Sequence, residues 1–284
     1  MNVAPRYLGR GSWLARRDPR VLVVVVVLFI ITAIQVWDLR LMAGLLALAL
    51  LYYRTAGIRF ADVKRNWIAA ITLLTIVVLV NTVLTGNRLA GIQVHPYFAM
   101  PLIGTVVSAE SVSYAATQWM RYLAMVAIGF PVAFCIAPAD FGVAFARLGV
   151  PEKFAVGVDL TFRFLPSLAV EYQQTIDAQR IRGHDPSKKG AGPIARLRSM
   201  GPLMTPLTVN AIAGAEDTID AMDLRGFGTG KRSWLRHLAL DRTDWLLILG
   251  FLALAVVTTV AGFTTSISEI WTPPFLIGLA GGTP

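Results

Sequence analysis

Long apolar runs interrupt the polar sequence at five places. Two of the runs are short and lie close together, and the other three are longer. A helix needs about 20 residues to cross the hydrocarbon core of a bilayer. The pattern therefore predicts an all-α, polytopic helical membrane protein with about five transmembrane helices. The runs cover residues 21–37, 41–53, 67–85, 119–137 and 243–263.

The segments between the runs predict turns and loops. The first two runs turn near Trp37–Arg40, and residues 86–114 carry several glycines and prolines, which indicates a loop. Arg121 and Tyr122 fall near the outer end of the fourth run, where an arginine can extend its charged head to the membrane surface. The apolar tail at residues 274–280 is too short to cross a membrane.

Composition supports the membrane prediction. Of 284 residues, 55% are hydrophobic and 15% are charged, whereas a typical soluble domain carries about 25% charged residues. The single cysteine, Cys135, lies inside an apolar run, so a disulfide framework is impossible and the residue is expected to be a small buried hydrophobe.

Most of the basic residues that give the net charge of +9 lie in the segments between the apolar runs. Five basic residues precede residue 21, four lie in residues 54–65 and fourteen in residues 138–242, whereas residues 86–114 hold one and residues 265–284 none. Lysine and arginine collect in cytoplasmic loops. We therefore expect a multi-pass protein of the cell (plasma) membrane, with the N-terminus and residues 138–242 cytoplasmic. The basic balance then reflects topology, and no nucleic-acid partner is expected.

This topology divides the chain into three parts. Residues 1–137 form an N-terminal transmembrane region of about four spans, residues 138–242 a cytoplasmic region, and residues 243–284 a last transmembrane helix with a tail. Within the cytoplasmic region the pattern predicts two long helices, from about Asp159 to Arg182 and from about Leu203 to Arg225, each stopped by the glycine that follows.

Both predicted cytoplasmic helices are amphipathic. At 100° per residue, five apolar residues of the second helix fall within an arc of about 120°, and four acidic residues lie opposite. An acidic face is repelled by anionic lipid, so it favours a protein partner. The apolar stripe of the second helix is Leu207, Ala211, Ala215, Ile219 and Met222, its acidic face is Glu216, Asp217, Asp220 and Asp223, and the first helix has a stripe of Leu165, Leu168, Tyr172 and Ile176.

The two predicted helices end in the same sequence motif. Residues 178–183 and residues 221–226 both have alanine first, arginine fifth and glycine last. Helix capping alone explains one such ending, but two in one segment favour a shared role. A guanidinium held at a rigid helix end can enter an acidic groove and make bidentate contacts that lysine makes poorly.

The order of these motifs resembles the transmembrane T component of energy-coupling factor (ECF) transporters, a cobalt-transport permease-like family. The order runs from Leu148-Gly149-Val150-Pro151 through Arg163-Phe164-Leu165-Pro166 and Glu171 to the two endings. The resemblance implies a non-catalytic subunit of an ATP-driven importer of vitamins or transition-metal ions. It also implies that the two coupling helices engage grooves on a pair of ABC-type ATPases, and that their apolar faces hold an integral-membrane, substrate-binding S component.

The resemblance also assigns residues. Arg182 and Arg225 would be the coupling arginines, within the triplets Ile181-Arg182-Gly183 and Leu224-Arg225-Gly226, in which a bulkier residue stands where family members often have alanine. ATP and Mg²⁺ would be bound by the partner ATPases, so no catalytic, metal or cofactor site is expected in this chain. The supporting positions on the coupling helices would be Ala178, Arg180, Ala221, Arg163, Pro166 and Glu171.

The sequence also contains stretches that are similar to the motifs of other functions. The stretch Gly226–Lys231 is not a phosphate-binding loop, because Arg232 stands where the loop needs serine or threonine and a helix, not a strand, precedes it. Two alternatives stay open at this point. One is a conventional ABC permease that binds and translocates substrate itself. The other is a membrane prenyltransferase-like enzyme, in which the acidic residues 216–220 would hold Mg²⁺.

Overall fold

The computed structural model describes residues 11–85, 96–100, 105–183, 200–230, 240–264 and 271–279. These residues form two compact units, which are described separately. The first, here called the apolar unit, comprises the described residues up to 137 and from 240 onwards. The second, here called the α5–α7 unit, comprises the described residues between 138 and 230.

Helices dominate the part of the chain that the structure describes. A short 3-10 helix, Leu14–Arg16, is followed by nine α-helices and one β-hairpin. In chain order these are α1 (Pro19–Gln35), α2 (Leu39–Thr55), α3 (Phe60–Thr85), β1 (Pro96–Met100), β2 (Thr105–Ser108), α4 (Ala109–Cys135), α5 (Pro138–Arg147), α6 (Glu152–Ile181), α7 (Gly201–Leu224), α8 (Arg242–Thr264) and α9 (Pro274–Leu279).

All five predicted apolar runs are helical, as α1, α2, α3, α4 and α8. Within the described ranges, three helices are long and apolar enough to cross a membrane, namely Phe60–Val83 within α3, α4 and α8, and α1 is a shorter apolar helix. Many large apolar side chains on α3 and α8 face outward, as expected of surfaces that contact lipid. The prediction of an all-α, polytopic helical membrane protein is confirmed.

In the apolar unit, α4 packs against α1, α2 and α3, and α1 also packs against α8. One face of α1, which carries Val21, Val25 and Phe29, is fully buried. The ring of Phe251 on α8 lies edge-on to those of Phe29 and Tyr52, with centroids 6.4 and 6.0 Å away. Cys135 is buried with its Sγ 3.9 Å from the carbonyl oxygen of Ala56, so its prediction as a small buried hydrophobe is confirmed.

Arg121 does not lie at the outer margin of its helix, and that prediction is wrong. Its side chain is buried, and its two terminal nitrogens donate to the carbonyl oxygen of Val36 and to Oε1 of Gln118, both at 2.6 Å. The guanidinium also stacks 4.2 Å from the ring centre of Trp37. Val36 is the C-cap residue of α1. The arginine therefore satisfies a carbonyl that the end of that helix leaves unpaired.

The predicted loop at residues 86–114 differs from the structure in its described part. Residues 96–100 and 105–108 form an antiparallel hairpin, and α4 begins at Ala109, ten residues before the predicted start at Trp119. A capping box between Ser108 and Ser111 begins the helix. The first turns of α4 are polar yet buried against protein, so a hydropathy pattern assigns them to a loop. Residues 86–95 and 101–104 lie outside the described residues.

An ion cluster joins the start of α1 to the start of α8. Arg17 lies 3.2 Å from a carboxylate oxygen of Asp241 and 3.8 Å from one of Asp244, and it also donates to the hydroxyl of Thr243. Asp244 is buried, and its carboxylate accepts the backbone N–H of Asp241 at 3.1 Å. Hydrogen bonds from the backbone of Arg242 and from Arg17 lower the pKa of the Asp241 carboxyl. This carboxylate therefore favours the folded state above its unfolded pKa, and the contribution disappears as the pH falls through the lowered value.

In the α5–α7 unit, α5 packs closely along the first half of α6. The rings of Phe141 and Phe162 stack with centroids 5.5 Å apart. Gly142 lets the two backbones approach, because an added Cβ would lie 2.9 Å from the carbonyl oxygen of Ala155 and 2.9 Å from Cβ of Asp159. This packing holds the first turns of α6, which begins at Glu152 rather than near Asp159 as predicted.

A larger side chain at position 142 is expected to separate α5 from α6. We predict that Gly142→Leu destabilises this packing by about 1–3 kcal/mol, because the carbonyl of Ala155 belongs to a helix backbone and cannot retract. Hydrogen exchange of the α5 amides, measured on the purified protein, should accelerate tenfold or more. Gly157→Leu is the matched control, since no atom lies within 4 Å of a Cβ there. Equal exchange in both variants would contradict the proposed packing constraint.

Candidate functional site

The first predicted coupling end lies where α6 stops. Ile181 is the last helical residue and Arg182 is the C-cap, with φ −77° and ψ 6°. Gly183 follows with φ +84°. Its N–H donates to the carbonyl of Arg180 at 3.0 Å, and the N–H of Arg182 donates to the carbonyl of Ala178 at 3.3 Å. The positive φ turns the chain sharply away from the helix axis, which leaves the arginine at the tip.

The second end has the same geometry at the close of α7. Leu224 is the last helical residue, and Arg225 is the C-cap, with φ −89° and ψ 6°. Gly226 has φ +68°. The N–H groups of Gly226 and Phe227 donate to the carbonyls of Asp223 and Met222, at 2.9 and 3.0 Å. These two bonds form a Schellman motif, a closing turn that favours glycine at the left-handed position.

Both tip guanidinium groups are free within the described part of the chain. Arg182 and Arg225 are exposed, and neither side chain forms an ion pair or hydrogen bond with a described residue. Arg180, two residues before the first tip, behaves differently, because it lies 3.1 Å from a carboxylate oxygen of Asp177. That pair is itself exposed, so it contributes little to stability.

A groove runs between α6 and α7. The part of the groove farther from Arg182, here called the upper part, has a volume of about 210 Å³. A second part reaches Arg182. Glu171 and Asn210 line both parts. One carboxylate oxygen of Glu171, Oε2, is buried and has no hydrogen-bond partner among the residues that the structure describes. The upper part is otherwise lined by Phe164, Ser167, Leu168, Ala211, Gly214 and Ala215.

The supporting positions divide into two groups. Ala178 contributes its carbonyl to the first helix end, and Glu171 lines the groove. Arg163, Pro166 and Ala221 are exposed, and α6 continues through Pro166 to Ile181. The structure therefore places Ala178 at the helix end and Glu171 at the groove. The other four supporting positions, including Arg180 with its partner Asp177, lie on exposed surfaces of the same helices.

The structure also contains features that the sequence reasoning missed. Helix α5 was not predicted, although Leu148-Gly149 has the form of a helix stop, because its ten residues are too short for a clear helical period. The groove was missed as well. Its signal was the spacing of Ala211, Gly214 and Ala215, small residues on one face of α7 that leave room beside the helix backbone.

Two stretches of α7 and the turn after it bear on the alternative functions, namely the glycine-rich stretch Gly226–Lys231 and the acidic residues of α7. Gly226–Gly230 form turns after α7, whereas a phosphate-binding loop follows a strand; Lys231 lies outside the described residues. The acidic residues 216, 217, 220 and 223 are exposed along α7. Among the described residues, no group of three or more histidine, cysteine, aspartate or glutamate side chains is arranged to hold a metal ion.

The chain is similar in sequence to known membrane transport proteins. A family model described as "Cobalt transport protein" (CbiQ) matches residues 10–234. The chain is 25% identical over 269 residues to "Energy-coupling factor transporter transmembrane protein EcfT" of Staphylococcus aureus, covering 91% of this chain and 96% of the relative. The proteins of the same name from Heliobacterium modesticaldum and Exiguobacterium sibiricum are 27% and 34% identical, over 84% and 52% of this chain and 90% and 59% of their own lengths.

The matched region covers most of the chain and includes both arginine-tipped helix ends. Several relatives align over nearly their whole length and carry the same printed name. The protein therefore belongs to the CbiQ cobalt-transport family and is a membrane component of the energy-coupling factor transporter type.

Proposed function

We propose that this chain is the energy-coupling subunit of an ECF-type importer. In this proposal it links ATP hydrolysis by a pair of ABC ATPases to an integral-membrane S component that binds a vitamin or a transition-metal ion. The observation that carries the proposal is the pair of matching helix ends, each with an exposed C-cap arginine and no partner among the described residues. The chain itself catalyses no reaction, and the ATPases bind ATP and Mg²⁺.

In this proposal, the two arginines attach the chain to the ATPases. The backbone hydrogen bonds of each closing turn hold the main chain of the arginine in place. Its planar guanidinium is pre-organised, so less side-chain freedom is lost for each hydrogen bond formed than with lysine. Its planar fork matches a carboxylate in a bidentate geometry. Arg182 and Arg225 would each enter one groove, one on each ATPase.

In this proposal, α6 and α7 transmit the motion of the ATPases to the S component. α6 has 30 residues and α7 has 24, which correspond to lengths of about 45 and 36 Å at 1.5 Å per residue. When ATP draws the two ATPases together, the two tips would move relative to each other. Because each helix is continuous over its whole length, the two would act as levers on whatever lies against their apolar surfaces.

Those apolar surfaces are open to a partner. Leu165, Leu168 and Ile219, three members of the predicted stripes, are exposed. Contiguous exposed apolar surface usually marks an interaction site. We assign it to the S component, with the N-terminus and residues 138–242 on the cytoplasmic side, in agreement with the distribution of basic residues.

Charge reversal at the tips tests the attachment. We expect Arg182→Glu or Arg225→Glu to abolish uptake and to weaken co-purification of the ATPases. A lost hydrogen bond to a charged group costs about 1.5–3 kcal/mol, which is roughly a tenfold to hundredfold loss of affinity. Membrane insertion should be unchanged, because both side chains are exposed.

Arg147→Glu is the matched control for this test. Arg147 is an exposed arginine in the last turn of α5, a helix that also ends in a positive-φ glycine, Gly149, but has Leu148 at the C-cap position. Uptake and co-purification should remain at the wild-type level in this variant. If both tip reversals kept full uptake and full ATPase association, the proposed function would be wrong.

The closing turns can be tested without removing either arginine. Gly183→Val and Gly226→Val force a β-branched residue into the left-handed region, which costs about 1–2 kcal/mol or more and is expected to redirect the neighbouring guanidinium. We expect a clear loss of ATPase affinity in binding measurements with purified components. Gly183→Asn and Gly226→Asn should retain most of it, because asparagine tolerates positive φ. Equal affinity of the valine and asparagine variants would show that the turn does not position the arginine.

A further inference from the structure

Each tip carries a large aliphatic side chain beside its arginine. Ile181 and Leu224, the last helical residues of α6 and α7, are 88% and 90% exposed. Elsewhere on α7 the exposed large apolar residues reach only 44–59%. Two equivalent positions in two separate helix ends therefore present almost the whole of an aliphatic side chain to the surroundings.

These side chains do not belong to the apolar stripes of their helices. Ile181 follows Ile176 by five residues, and Leu224 follows Ile219 by five residues. Five residues correspond to a rotation of about 140° around the helix. A partner that covers the stripes would therefore leave both tip side chains uncovered, and a second surface would be needed to bury them.

The adjacent arginine identifies that surface. Each aliphatic residue immediately precedes a C-cap arginine, so a protein that receives the guanidinium also meets the aliphatic side chain. The two groups need different surroundings, since the guanidinium requires carboxylates and the aliphatic group requires a nonpolar recess that excludes water. A groove that offered carboxylates alone would leave both aliphatic groups in water.

We propose that Ile181 and Leu224 are the residues of this chain that select its ATPases. Each would enter a nonpolar recess beside the arginine-binding carboxylates of one ATPase, and the recess must be wide enough for a branched aliphatic side chain. This inference rests on the proposed function, because it takes the ATPase pair as the partner at both tips. It goes further by naming the residues that determine which ATPases fit.

Binding measurements on the purified chain and the ATPase pair that co-purifies with it test the inference. We expect the double variant Ile181→Ala/Leu224→Ala to bind the pair at least tenfold more weakly. The loss should persist at high salt, because burial of apolar groups is not screened. The loss caused by Arg182→Gln should instead become smaller relative to wild type as salt weakens the charged contact.

Val170→Ala/Val209→Ala is the matched control. Both valines lie on the same two helices and are 58% and 59% exposed, so the variant truncates exposed aliphatic side chains of the same helices away from the tips. Its affinity for the ATPase pair should equal that of the wild type. The native fold of each variant is checked by the hydrogen-exchange pattern of α6 and α7.

The outcomes separate this inference from the proposed function. Wild-type or tighter binding by Ile181→Ala/Leu224→Ala, together with weak binding by Arg182→Glu and Arg225→Glu, would overturn the selection proposal alone. Wild-type binding by both sets of variants would overturn the proposed function as well. A loss in the alanine variant that matched the loss in the valine control would also overturn the selection proposal, because the effect would not be specific to the tips.

Discussion

The closing turn of a helix is the constraint on which the candidate site depends. The last carbonyls of any helix lack partners within the helix, and in α6 and α7 a glycine with positive φ turns the chain so that backbone N–H groups can satisfy them. This turn places the preceding residue at the tip, where its side chain leaves the helix surface. Because this residue is arginine in both helices, the same closing turn produces two equivalent charged tips. The proposed attachment to two related ATPases, and the selection by the neighbouring aliphatic residues, both follow from that repetition.

Features that depend on neighbours along the chain could be predicted from the sequence. The helix stops at Gly183 and Gly226 are local, since an arginine followed by glycine determines the closing turn within a few residues, and the structure places both stops at the predicted positions. The apolar runs of the transmembrane helices are equally local, because lipid imposes the same requirement on every residue of a span. Both the fold class and the two tips therefore follow from sequence patterns alone.

Features that depend on distant contacts could not be predicted. Arg121 is buried because Val36, 85 residues earlier, offers an unpaired carbonyl, and hydropathy alone places such an arginine at a membrane surface. The early start of α6 depends on the close approach of Gly142 to Ala155. The groove around Glu171 exists only because small residues of α7 lie opposite it. In each case the deciding partner belongs to another element, so no period or spacing within one segment reveals it.

The central claim is that ATP binding moves the two tips relative to each other, and a distance measurement in the assembled transporter tests it most directly. Spin labels can be placed at Gln173→Cys and Glu216→Cys, exposed positions nine residues before Arg182 and Arg225, in a chain with Cys135 replaced by alanine. If uptake is retained, pulsed electron paramagnetic resonance should show one distance distribution without nucleotide, a shifted one with ATP bound, and a return to the first after hydrolysis. The same distribution in all three states, in a protein that still transports, would contradict the account.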